Sequence, residues 1–353
     1  MISFGVLPPG TIATNVQIPD TVNGGFHPGL VDIYAPLVVT EALICLHGGG
    51  GTKENSAYFT RTIKTMTATP TIDDVNWSLL NYWGTVLAFP QGTACLPENA
   101  EDNPFNPNGV STISETNPAG VNLWSNGMFW SGSDSEQFLL DIKAYITAAF
   151  PTVIRQHLYG HSAGGMMVQW MWLNNPAFNH HAVTAGPMPI LNIDYTGGFP
   201  VLPITPSTLR PFWFQIGRRD TNIGVKDGLA GVGDHWEDDL WLQQYANLSK
   251  ACVKGSLVSG EWVPQLSEWV NEMQMLQLRV DAYNTAYALP PETFDAGDAV
   301  DTATAFGTLS TWQYSSGRNI LRLLSHSDHK VGTMTKDLQG SVLKGILAWI
   351  RAT

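Results

Sequence analysis

The segment Gly160-His161-Ser162-Ala163-Gly164, followed by Gly165, constrains this chain more than any other. It places a serine between glycines, directly after the apolar run Gln156–Tyr159 and directly before the apolar stretch Met166–Leu173. A strand that must turn at once into a helix needs residues without a Cβ on either side of the turn. The product is a G-x-S-x-G elbow that lifts the serine hydroxyl above the end of a sheet. Three fixed positions are weak evidence alone, and the flanking strand and helix patterns are what give them weight. The motif therefore predicts both an α/β sheet and a nucleophilic serine.

The remaining strand signals agree. Ala42–Leu46, Thr85–Phe89, Phe212–Ile216 and Asn319–Leu324 are short apolar runs, most of them bounded by Gly or Pro. They are too apolar to have one wet face, which predicts a mostly parallel sheet covered by helices on both faces. Ser135–Phe150 carries apolar residues at Phe138, Leu139, Ile142, Tyr145, Ile146 and Ala149, a helical spacing, with Asp134 as its N-cap. Two regions break this rhythm. Residues 97–125 are rich in Pro, Asn, Gly and Ser and read as an inserted loop. Residues 234–290 read as two helical stretches forming a cap or lid, with the acidic run from Asp234 to Asp239 as a helix start. The absence of a clean linker or repeat predicts one domain over residues 1–353.

Composition excludes several classes of function. Charged residues are 14 % of the chain, yet 13 Trp, 14 Phe and 10 Tyr exclude a disordered segment. A formal charge of −12 opposes nucleic acid and anionic lipid, and no apolar run suggests an integral membrane segment. The opening MISFGVLPPGTIATN does not read as a signal peptide. Low lysine content fits an extracellular or periplasmic enzyme, with a cytoplasmic one as the alternative. Cys45 reads as a buried thiol, and Cys95 and Cys252 are candidates for one bridge.

The glycine run after the second strand signal, His47-Gly48-Gly49-Gly50-Gly51, supplies what a reactive serine needs next. Backbone N–H groups of a loop without side chains can be aimed at the oxyanion of a tetrahedral intermediate. Gly49 is the first choice of donor and Gly50 the second, acting with Ala163 N–H. A phosphate-cradling loop would end Gly-Lys-Ser/Thr, whereas this one reads Gly51-Thr52-Lys53. His47 reads as a brace for the loop. Asp220, after FWFQIG, is placed to orient a histidine base. His326 and His329, beyond the last strand, both qualify as that base, and the three extra loop residues favour His329. The pair His326-x-x-His329 lacks a third good ligand, so neither metal nor organic cofactor is expected. Trp124 and Trp130, bordering the long loop, and His161, beside the nucleophile, are the candidate substrate contacts. Trp170 and Trp172 read as core.

Taken together, VDIYAP, LHGGGG, LAFPQG, SDSEQF, LYGHSAGGMM, NPAFNHHAVTAGP and GRRD resemble the α/β-hydrolase superfamily. Within it they resemble the polyhydroxybutyrate depolymerase and feruloyl esterase-like group, from about residue 30 to the C-terminus. The resemblance implies an α/β-hydrolase fold with Ser162 as nucleophile, Asp220 as acid and His329 as base. Gly49 and Ala163 become oxyanion donors, and a small-molecule or polymeric ester becomes the substrate. The chain departs from the group at His326-Ser327-Asp328, in the long segment between Asp220 and His329, and at residues 97–125. The expected activity is carboxylic-ester hydrolysis through an acyl-enzyme. A peptidase or acyltransferase on the same triad, and a non-catalytic binding protein of the same fold, are the alternatives.

Overall fold

The computed structural model describes residue 7 and residues 10–94, 122–125, 133–186, 210–217, 253–258, 261–269, 300–304, 307–314, 319–324 and 342–353. The chain divides into two compact units, Met1–Met171 with Ala177–His181, and Trp172–Pro176 with Ala182–Thr353.

The first unit contains β1 (Ile12–Pro19), β2 (Phe26–Tyr34), β3 (Glu41–Leu46), α1 (Lys53–Phe59), α2 (Trp77–Trp83), β4 (Thr85–Pro90), β5 (Thr93–Ala94), β6 (Asn122–Leu123), α3 (Ser135–Ala149), β7 (Arg155–His161) and α4 (Ala163–Asn174) through Met171. Its main sheet runs β1-β2-β4-β3-β7. β1 and β2 are antiparallel, and so are β2 and β4. β3 lies parallel to both β4 and β7, with Leu46 opposite Gly160 at their ends. Every residue of β3 and of β4 is buried, as continuous apolar runs require of central parallel strands. α3 buries Phe138, Leu139, Ile142, Ile146 and Ala149, and Asp134 caps it by accepting the Gln137 N–H at 2.9 Å. Cys45 is a buried free thiol whose ionisation burial strongly disfavours.

The second unit contains β8 (His181–Thr184, its first residue counted with the first unit), β9 (Phe212–Gly217), β10 (Val253–Val258), β11 (Glu261–Trp269), β12 (Val300–Thr304), β13 (Gly307–Tyr314), β14 (Asn319–Leu324) and α5 (Val342–Ala352). Here the order is β8-β9-β14-β13-β12. β14 is parallel to β9, while β13 and β12 continue as an antiparallel meander. α5 buries Leu343, Ile346, Leu347, Trp349 and Ile350, with Trp349 edge-on to Trp213 at 5.6 Å between centroids. Trp172 stacks near Phe212, and Arg210 ties the end of α4 by donating to the Trp172 and Asn175 carbonyls.

The two strand orders, with a serine turn closing β7, are those of the α/β-hydrolase fold, and the mostly parallel α/β sheet is as the sequence predicts. One expectation fails. Residues 261–269, read as the start of a helix, form β11, antiparallel to β10 from Val258 opposite Glu261 to Gly255 opposite Pro264. Pro264 inside the segment disfavours a helix. Among the described residues no helix is long and apolar enough to cross a membrane.

Candidate active site

Ser162 sits between the last residue of β7 and the first of α4 with φ at +52°. That left-handed conformation costs a non-glycine residue about 1 kcal/mol or more, and its surroundings enforce it. A Cβ at Gly160 would lie 2.2 Å from the Gly164 carbonyl oxygen. One at Gly164 would lie 2.5 Å from the His47 carbonyl oxygen and 2.7 Å from that of Leu46. The glycines of the motif therefore let α4 start against the end of β3, and that approach turns Ser162 outward, half-buried.

The same approach brings the glycine loop to the serine. A Cβ at Gly48 would lie 3.1 Å from Ser162 Cβ, and one at Gly49 would lie 3.9 Å from Ala163 Cβ. Around Gly49 the loop is tied down. Trp124 Nε1–H donates to His47 O at 2.9 Å, and Gly51 N–H donates to Gly48 O at 3.0 Å. Gly50 N–H donates to Asn122 O at 2.9 Å, and Asn122 Nδ2 returns a bond to Gly51 O at 3.2 Å. Neither Gly49 N–H nor Ala163 N–H has a hydrogen-bond partner among the described residues. Two adjacent unpaired donors beside a strained serine form an arrangement able to receive an oxyanion.

His47 holds the loop from inside. Its Nε2 accepts the Gly92 N–H at 2.9 Å, so the ring proton resides on Nδ1, which donates to Gly48 O at 2.7 Å. The ring is 3 % exposed and packs on Trp124 at 5.0 Å between centroids. Burial pushes its pKa down to about 4, against a smaller upward contribution from the Gly48 bond. His47 is thus a neutral brace at ordinary pH, as the sequence suggests.

The structure redistributes several sequence-derived roles. Gly50, the second-choice donor, spends its N–H on Asn122. Trp124, expected as an exposed substrate wall, is fully buried, and its indole serves the loop carbonyl of His47. The physical reason is the return of the chain at β6, which pairs with β5 and carries Asn122 and Trp124 under the glycine loop. His161 is also buried, and its Cδ2 flanks Gly48. Gln91, part of the LAFPQG segment but given no role by the sequence, has its amide on His47 Nε2, Gly92 O and Gly51 O. Asp220, His326, His329 and Trp130 lie outside the described residues, as do Cys95, Cys252 and residues 234–252.

Asp20, His27 and Asp141 are the one group of three potential metal ligands among the described residues. His27 Nε2 is 2.7 Å from Asp141 Oδ2, while Nδ1 faces Asp20 at 3.9 Å. Asp141 also accepts from Thr21 and Gln137, and Asp20 from Val22 and Asn23. With His27 hydrogen-bonded to Asp141 and Asp20 held by its own turn on the other side of the ring, the group makes a clasp between the β1–β2 turn and α3.

No family model and no curated protein matches the sequence. Among solved structures, the chain is similar to an acetyl xylan esterase from Aspergillus awamori, at 12 % identity and a TM-score of 0.43, covering 96 % of this chain and 98 % of that one. A siderophore hydrolase, EstA from Aspergillus nidulans, follows at 13 % and 0.42, covering 96 % and 95 %. Poly(aspartic acid) hydrolase-1 from Sphingomonas sp. KT-1 gives 15 % and 0.39, covering 69 % and 89 %. At these values the fold rests on strand order, and the chemistry on the residues around Ser162.

Proposed function

We propose that this chain is a serine hydrolase acting on carboxylic esters through an acyl-enzyme on Ser162. The observation that carries the reading is the serine at φ +52° with the N–H groups of Gly49 and Ala163, unpaired among the described residues, beside it. In the proposed reaction Ser162 Oγ attacks the ester carbonyl and His329 takes its proton. Asp220 fixes the tautomer of His329 and stabilises its imidazolium. The carbonyl oxygen, now anionic, accepts hydrogen bonds from Gly49 and Ala163, which strengthen as charge develops. The bond to the alcohol breaks, His329 protonates the departing oxygen, and the same histidine then activates water to release the acid from Ser162. The scheme uses no metal and no organic cofactor. Short-chain, aryl and polyester carboxylic esters are the proposed substrates.

Ser162→Ala tests this directly with short-chain nitrophenyl esters. Hydrolysis should fall to background with circular dichroism unchanged, and undiminished turnover would sink the assignment. Comparing His329→Ala with His326→Ala identifies the base, and a dead His326 variant beside an active His329 variant would reverse the choice. A panel of esters, amides and alcohol acceptors separates hydrolysis of esters from peptidase and acyltransferase chemistry.

A further inference from the structure

Four consecutive glycines form the least ordered kind of loop, since glycine loses more backbone freedom on folding than any other residue. A donor inside such a loop stabilises a transition state only if its direction is fixed beforehand. Beside the bonds from Trp124 and Asn122, several of the groups that fix it meet on one side chain. Gln91 follows β4 directly, and its Oε1 accepts the Lys53 N–H at 3.0 Å, at the first residue of α1. Its Nε2 lies 3.1 Å from Gly92 O, 3.4 Å from Gly51 O and 3.2 Å from His47 Nε2. Its own N–H is held by Leu30 O of β2 at 2.8 Å. One residue thus connects β2 through its backbone, and the start of α1, the His47 ring and the last glycine of the loop through its side-chain amide. The reaction scheme gives Gln91 no contact with substrate.

We propose that Gln91 is a positioning residue: by bridging His47, Gly51 and Lys53 N–H it sets the glycine loop so that Gly49 N–H meets the oxyanion of the Ser162 adduct. The inference rests on the serine-hydrolase reading above. It assigns to Gln91 an effect on the chemical step rather than on substrate binding, because the loop direction matters most when negative charge has formed. Gln91→Glu is the sharper perturbation. It keeps the acceptor for Lys53 N–H and the side-chain volume, while removing both hydrogens that the amide offers the loop. Gln91→Ala removes both halves of the bridge.

The experiment measures kcat and KM for a short-chain nitrophenyl ester in the full chain and in both variants. Alongside, a fluorophosphonate is reacted to completion and its site of attachment mapped by mass spectrometry. Expected is one label per chain on Ser162 in all three proteins. kcat should fall about 10- to 100-fold in both variants, below the loss from deleting a donor outright, with KM within about threefold. Labelled variants whose kcat stays within about twofold of the parent would overturn the role of Gln91 and leave the hydrolase reading standing. Kinetics in which KM rises while kcat holds would overturn it equally. A parent chain that takes no label on Ser162 would overturn the reading, and the role of Gln91 with it. If Gln91→Ala fails to fold, Gln91→Glu decides the matter provided its melting midpoint stays within a few degrees of the parent.

Discussion

Replacing Gly164 by alanine opposes two effects of known sign. In a helix interior, alanine is favoured over glycine by about 1 kcal/mol, an upper bound for Gly164 in the first turn of α4. Against this, the added methyl would lie 2.5 Å from His47 O, 2.7 Å from Leu46 O and 2.8 Å from Leu46 Cβ. Two of those atoms are backbone at the end of β3, where Leu46 pairs with Gly160 of β7 and His47 O is held by the Trp124 indole, and they have little freedom to withdraw. Overpacking of this kind costs about 3 kcal/mol at the upper end of the usual range, so the net effect is a loss of about 2 kcal/mol. For a cooperative unit of this size that lowers the melting midpoint by about 4–8 °C. The relief available is for α4 to move away from β3, which separates Ser162 and Ala163 from Gly49. A displacement near 1 Å costs about 100-fold in rate. Scanning calorimetry and nitrophenyl ester kinetics read both effects. A variant as stable as the parent would mean that helix propensity wins and that the close approach at Gly164 is not what shapes the turn.

Two further perturbations probe the supports of the loop. The His47 pKa is held near 4 when folded, against an ordinary value near 6.5, so below pH 6.5 the unfolded chain takes up a proton that the folded chain refuses. Stability contributed by this group is complete above pH 6.5 and is lost as pH falls toward 4, by about 3 kcal/mol in all. Urea midpoints at pH 7.5 and 4.5 should show a smaller drop in His47→Gln than in the parent, and an equal drop would remove His47 from the account. Lys53 lies against both oxygens of Asp32 at 2.9 Å, with side chains 5 % and 0 % exposed. Lys53→Met strands that carboxylate and should cost about 3–5 kcal/mol by urea unfolding, much of it recovered in the double variant Asp32→Leu/Lys53→Met.

What the sequence discloses follows the physics of each segment. β3, β4, β7, β9 and β14 are legible because central parallel strands are continuous apolar runs, and α3 because its buried face repeats at helical spacing. β12 and β13, with VDTAT and GTLSTWQY, carry too much Thr and Ser to stand out, and β2 contains Pro28 and Gly29. In 261–269 the apolar positions Trp262, Leu266 and Trp269 fit a helical spacing, and pairing with β10, with Pro264 set against a helix, decides for a strand. Ser162 and Gly49 are legible because their chemistry dictates a local motif. The roles of Trp124 and Gln91 are not legible for one reason: each acts on residues more than 35 positions away, and neither side chain has a reactive signature.

Trapping the acyl-enzyme tests the central claim most directly. The full chain is mixed with excess nitrophenyl acetate, quenched in acid within milliseconds, and digested for mass spectrometry. The account predicts a single acetyl group, carried by Ser162 and absent from Ser162→Ala, with a burst of nitrophenolate not exceeding one per chain. Ester turnover with no acyl group on Ser162, or with the group on another residue, would contradict it.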